Sequence, residues 1–207
     1  GLCENYDYFG SRSNGAYAQY VVSPVGNLLK MPAGIDPRAA AMLDPAAIAL
    51  HAMWKTGLRS GHRVLVVGAG PIGLFAVQWA KLAGAGQIVT VDLSAEKSAM
   101  AREAGATGAV QTHDEAKALA GRGFDIVLES AGVPVTADMA AHLTGPQGHA
   151  SFEGLDWQKS YWLEEVALDG YRIGLNPNPK PISFTSSSGA CGASPSRHRK
   201  CPAMASR

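Results

Sequence analysis

From residue 61 to residue 143 short continuous runs of Val, Ile and Leu alternate with longer stretches of helical period. The runs predict strands over 64–67, 88–91 and 124–128, and the stretches between predict helices over 71–83, 95–104 and 135–143. A weaker strand and helix fall within 109–119. Strands that are apolar at every position have both faces covered, so the expected architecture is a parallel sheet with helices on each side.

The flanks are less regular. "GAYAQYVV", residues 15–22, alternates small or polar with aromatic and β-branched positions after Ser13, Asn14 and Gly15, and predicts a half-buried strand. "NLLKMPAGIDPRAAAML" follows as a short strand, a Pro/Gly bend and an Ala-rich helix start. In "DPAAIALHAMWKTG" Asp44 is placed at the N-cap, Pro45 at the first helical position and Gly57 at the stop. After Gly148 the period fails: "GHASFEGL" makes a weak further strand, and aromatics then recur with neither period 2 nor 3.6. From Gly170 to Arg207 there are six Lys or Arg and no Asp or Glu, in a Ser/Pro/Gly-rich context. That composition buries too little apolar surface to offset its ordering entropy, and disorder is expected from Asn176 onward.

Composition narrows the classes. With 207 residues, 46% of them hydrophobic, the chain can build one packed domain and an appendage. Its 18 Lys and Arg against 17 Asp and Glu give a net charge of +1, which supplies no field for nucleic acid or membrane. "SRHRK" is too short and lacks interleaved aromatics for a nucleic-acid arm. No apolar run of about 18 residues and no secretory leader pattern is visible, so a cytoplasmic protein with a small-molecule partner is expected. Cys3, Cys191 and Cys201 form neither a disulfide framework nor a complete metal set. The opening at Gly1 reads as the interior of a folded unit, and the chain is expected to be a fragment. The loss of period after about residue 150 suggests a frame shift or a mis-joined segment.

The chemistry concentrates in "VLVVGAGPIG". Gly68, Gly70 and Gly73 follow a strand and open a helix, the context in which a GxGxxG string binds a dinucleotide. Gly68 allows the tight turn, Gly70 lets backbone approach a pyrophosphate, and Gly73 lets helix lie close to strand. Pro71 falls where an N–H would be unpaired in any case, and the remaining donors and the helix dipole face the phosphates. Asp92 ends the next strand nineteen residues after Gly73, near the spacing of about 20 expected for a carboxylate that accepts from the adenosine ribose. Its charge opposes a 2′-phosphate and favours NAD over NADP. The competing reading is a strand-to-helix turn with no ligand, with Asp92 merely opening the next turn.

Together "LCENYDYFGSRSNGAYAQYVV", "DPAAIALHA", "VLVVGAGPIG", "VTVDLSAEK" and "DIVLESAG" resemble the medium-chain, zinc-dependent alcohol dehydrogenase family over about residues 1–148. The likeness is strongest to its polyol branch, the sorbitol and galactitol-1-phosphate dehydrogenases. It implies a Rossmann-type doubly wound parallel sheet over 44–154, preceded at 1–43 by a remnant of a β-rich, GroES-like catalytic domain and followed by an irregular tail at 155–207. It also implies NAD contacts at Ile72 and Asp92, a basic residue, Lys97, at the adenosine ribose, and a turn of Ser130, Ala131 and Gly132 beneath the nicotinamide half. Homo-oligomers that pair cofactor domains through an edge strand are common in the family.

Zinc is where the sequence departs from that pattern. Cys3 resembles the last of four cysteines in the family's structural zinc lobe, and without the other three is expected to be a free thiol. Asp44 stands where the polyol branch has a Glu before Pro that can ligate catalytic zinc, and two roles stay open: zinc ligand or helix cap. His51, seven residues on, is on roughly the same helical face, so a His and carboxylate pair is conceivable, but a histidine so placed is more often a core or surface residue and nothing nearby completes a site. The resemblance therefore implies NAD-dependent, zinc-assisted oxidation of a secondary alcohol in a polyol or sugar-alcohol phosphate, carried here by an inactive fragment. The alternative is a non-catalytic NAD-binding module. A zinc-independent, NADPH-using quinone reductase is disfavoured by Asp92 and by the Cys3 region.

Overall fold

The computed structural model describes residues 9–10, 13–153, 162–167 and 171–176, the last two stretches as backbone only. Contacts divide the chain into two units, Ile35–Ser183 and Gly1–Gly34 with Phe184–Arg207. Cys3, Cys191, Cys201 and nearly all of the expected disorder after Asn176 lie outside the described residues.

In the larger unit β1 (Arg63–Val67), β2 (Gln87–Val91), β3 (Gly108–Val110), β4 (Phe124–Glu129) and β5 (Thr144–Phe152) form one parallel sheet in the order β3-β2-β1-β4-β5. This is the α/β Rossmann-like fold that the alternation of strands and helices predicts. Side chains alternate between two cores because successive strand residues face opposite sides. Val64, Val66, Ile88, Ile126 and Leu128 meet α2 (Leu43–Lys55) and α3 (Pro71–Leu82). Leu65, Val67, Val89, Val91 and Val127 meet α5 (His113–Ala120) and α6 (Pro134–Leu143). The remaining helices are α1 (Pro37–Ala40) and α4 (Ala95–Ala104), and β6 (Trp162–Ala167) pairs antiparallel with β7 (Tyr171–Asn176) in a separate hairpin.

Two local features hold the layers together. The indole of Trp79 on α3 donates to the carbonyl of Ala46 on α2 at 3.0 Å. Arg63, at the start of β1, donates to the carbonyls of Leu119, Ala120 and Gly123 and lies 5.1 Å from the centre of the Phe124 ring. One guanidinium thus satisfies the last two carbonyls of α5 and one in the loop that follows it.

The structure corrects three readings of local pattern. The start of "NLLKMPAGIDPRAAAML" forms no strand. Residues 15–22 form no strand. Tyr17, Tyr20 and Val22 are exposed, and the described part of the smaller unit contains only a bridge between Phe9 and Ser13 and a 3-10 turn, Val25–Asn27. Alternation alone does not make a strand, because its backbone groups need a ladder partner and none of the described residues supplies one. Asp44 is not an N-cap. Helix α2 begins at Leu43 with Met42 at the cap and no capping side chain, because the chain leaving α1 is already turning: Ala46 donates to the carbonyl of Met42 at 3.1 Å. The Asp-Pro cap is realised one helix earlier, where Asp36 accepts from the N–H of Arg38 at 2.9 Å and Pro37 opens α1.

Candidate functional site

The strand order reverses direction at β1, so the connections leaving β1 and β4 diverge and open a crevice at the carboxyl ends of the strands, where such sheets bind ligands. Three turns line it: 68–70 after β1, 92–94 after β2 and 130–132 after β4. Each holds residues singled out from sequence, and hydrogen bonds connect all three.

The glycine turn is shaped by backbone demands. Gly68 has φ +95°, a conformation that side chains resist, and a Cβ there would come within 3.0 Å of the Ala131 nitrogen. A Cβ on Gly73 would collide with the Gly68 carbonyl oxygen. Gly70 differs: nothing lies within 4 Å of where its Cβ would be, and its φ and ψ suit any residue. Sterics inside the fold therefore require Gly68 and Gly73, while Gly70 borders open space. Helix α3 starts there with Pro71 and no capping side chain, which leaves its first N–H groups, including those of Ile72 and Gly73, without intrahelical acceptors.

Asp92 ties this turn to the next. Its Oδ2 accepts from the N–H of Ala69 and its Oδ1 from the N–H of Ser94, both at 2.9 Å. Lys97 places its Nζ 3.6 Å from Oδ2 while remaining half exposed. Ser130 makes the corresponding link from β4: its hydroxyl lies 3.0 Å from the Val67 carbonyl and 3.1 Å from that of Gly68, and its N–H donates to Val67 at 2.8 Å. Beneath Ala131 and Gly132 lies Glu129, 2% exposed, whose Oε1 accepts from both of their N–H groups and from the Thr136 hydroxyl. Glu129 and Thr136 were missed as site residues. Their only trace in sequence is a carboxylate ending the strand "FDIVLE", with Gly three residues on and Thr seven on.

The zinc candidates are not brought together. Asp44 is exposed in the first turn of α2, and His51 is exposed with its ring edge-on to Trp54. Among the described residues no group of three or more His, Cys, Asp or Glu could hold a metal ion. Among the same residues no helix is long and apolar enough to cross a membrane.

Residues 71–175, half of the chain, match the family model for zinc-binding dehydrogenases. The chain belongs to the zinc-binding dehydrogenase family. Galactitol 1-phosphate 5-dehydrogenase of Escherichia coli K12 is 32% identical over 161 residues, covering 73% of this chain and 46% of that one. Sorbitol dehydrogenase of Halalkalibacterium halodurans is 36% identical over 162 residues, covering 74% and 47%. A putative zinc-binding dehydrogenase from Sinorhizobium meliloti 1021, solved bound to NADP, superposes with a TM-score of 0.72 at 32% identity over 83% of this chain and 55% of that one. The chain spans just under half the length of these two curated relatives.

Proposed function

We propose that this chain carries the NAD-binding half of a dehydrogenase that oxidises a secondary alcohol of a polyol or sugar-alcohol phosphate. The observation that carries the reading is the crevice whose turns are joined by hydrogen bonds, Ala69 to Asp92 and Ser130 to Gly68, with open space beside Gly70. The open approach at Gly70 and the uncapped start of α3 fit a pyrophosphate. Asp92 fits the ribose hydroxyls, since its oxygens keep lone pairs beyond the two backbone bonds they accept. Its negative charge disfavours a 2′-phosphate, and Lys97 partly offsets that charge from the solvent side. Ile72, Pro71 and Gly73 line the phosphate end; Ser130, Ala131 and Gly132 line the nicotinamide end.

When bound, NAD supplies the hydride acceptor; the chain's own residues bind it, orient it and exclude water from one side. Zinc does not fit the described residues, because they offer no donor set, and no step is routed through it. That same observation favours the second reading, a non-catalytic NAD-binding module. The names of the relatives support a polyol or sugar-alcohol phosphate as substrate, and a homo-oligomer paired through its sheet edge is compatible with β5 as the outer strand.

Titration calorimetry of the 207-residue chain with NAD and NADP tests the cofactor, and NADH formation from sorbitol or galactitol 1-phosphate tests the chemistry. Binding with turnover supports the first reading, binding without turnover the second, and no binding overturns both.

A further inference from the structure

Glu129 is a buried carboxylate that the cofactor site as described above leaves without a role. It ends β4 among apolar residues, and one oxygen, Oε1, lies within reach of three donors: Ala131 N at 2.9 Å, Gly132 N at 2.8 Å and Thr136 Oγ1 at 2.7 Å, whose single proton is shared with the Val133 carbonyl, also at 2.7 Å. Such convergence is costly to bury unless the bonds are good, and these are charge-assisted. It also places negative charge at the start of α6, where the helix dipole favours it.

The arrangement fixes which way two peptide planes face. None of the described peptide bonds is cis, so in each plane the carbonyl points opposite to the N–H. With the N–H groups of Ala131 and Gly132 turned to Glu129, the carbonyls of Ser130 and Ala131 are turned away from it. No hydrogen bond among the described residues uses either carbonyl. Ser130 meanwhile fastens the other side of the turn to the glycine loop. The result is a pair of fixed acceptors on a turn that lines the crevice, suited to hydroxyl donors.

We propose that Glu129 is a positioning residue that orients the carbonyls of Ser130 and Ala131 to accept from the ribose hydroxyls on the nicotinamide side of the cofactor. This rests on the NAD-binding reading above. Glu129 does not touch the ligand; it acts through the turn.

The test compares NAD with ADP, which occupies only the adenosine and phosphate end, by calorimetry on the full 207-residue chain. The wild-type chain binds NAD more tightly than ADP. Glu129→Gln, which keeps an oxygen acceptor, retains most of that advantage. Glu129→Leu weakens NAD about tenfold, the loss of roughly one charge-assisted hydrogen bond, and leaves ADP unchanged. Thr136→Val, a milder change that keeps the carboxylate, weakens NAD about threefold with ADP again unchanged. Should Glu129→Leu not fold, Thr136→Val and Glu129→Gln decide the matter. Equal losses of NAD and ADP, or no loss of either, overturn the positioning role, as does a wild-type chain that binds both ligands equally. A wild-type chain that binds ADP and NAD not at all overturns the NAD-binding reading itself.

Discussion

Asp92 accepts a 2.9 Å hydrogen bond from the N–H of Ala69, so the carboxylate that faces the proposed ribose also holds the glycine turn in place. Asp92→Asn keeps one oxygen and turns the other into a donor, leaving either Ala69 or Ser94 without its acceptor. NAD affinity is expected to fall about tenfold, with NADP falling less because the charge that opposes its 2′-phosphate is gone. Calorimetry with both cofactors checks this. An unchanged ratio of the two affinities would mean that Asp92 braces the turn and has no part in selecting the cofactor.

Gly70 and Gly73 separate ligand binding from folding. Gly73→Ala forces the helix away from the Gly68 carbonyl and is expected to cost about 1–3 kcal/mol of stability, the usual range for overpacking. Gly70→Ala meets no protein atom, and its lower unfolded-state entropy and weaker helix capping offset one another to within about 1 kcal/mol. Its methyl projects into the space proposed for the pyrophosphate, so NAD binding is expected to fall at least about tenfold. Thermal melting beside NAD titration reads both. If Gly70→Ala binds NAD normally, the pyrophosphate does not approach there.

Thr90 is 1% exposed on β2 and its hydroxyl has no hydrogen-bond partner, as is also true of Ser98 on α4. A buried hydroxyl without a partner carries its desolvation cost uncompensated. Thr90→Val removes the group at nearly constant shape and is expected to stabilise by about 1 kcal/mol, raising Tm by about 2–4 °C. A lower Tm would show that a bound water satisfies Thr90.

The central strands and helices were legible because their apolar runs and glycine punctuation encode local structure directly. "VLVV" and "QIVTV" need burial on both faces, and only a sheet between helices supplies it. The glycine turn was legible in part for the same reason: the clash that requires Gly73 lies within six residues, from Gly68 to Gly73, whereas Gly68 is also hemmed in by Ala131, distant in the chain. What the sequence hid depends on partners distant in the chain. The alternation at 15–22 carries no information about whether a ladder strand is available, and Asp44 yields its capping role because α1 brings Met42 into position first. Glu129 stood out little as a candidate because its meaning comes from the fold of the turn that follows it. Nothing in "DIVLESAG" says that Ala131 and Gly132 turn their N–H groups back toward the strand.

Glu115 closes a reciprocal cap at the start of α5. Its Oε2 accepts from the N–H of Gln111 at 2.8 Å and of Thr112 at 3.1 Å, while its own N–H donates to the Thr112 hydroxyl. The N–H of Gln111 first, and that of Thr112 next, hold its carboxyl below the usual carboxylate range. Because the folded state favours the ionised form, the cap stabilises fully above the unfolded-state pKa and its contribution is lost as pH falls through the folded-state value. The wild-type chain is therefore expected to melt higher than Glu115→Gln at neutral pH. The two melting temperatures should converge on acidification through and below the carboxylate range. The difference stays small because the carboxylate is open to solvent, which screens it. A gap that persists unchanged into acid would mean that the Gln variant loses packing or helix propensity rather than a charge-assisted cap.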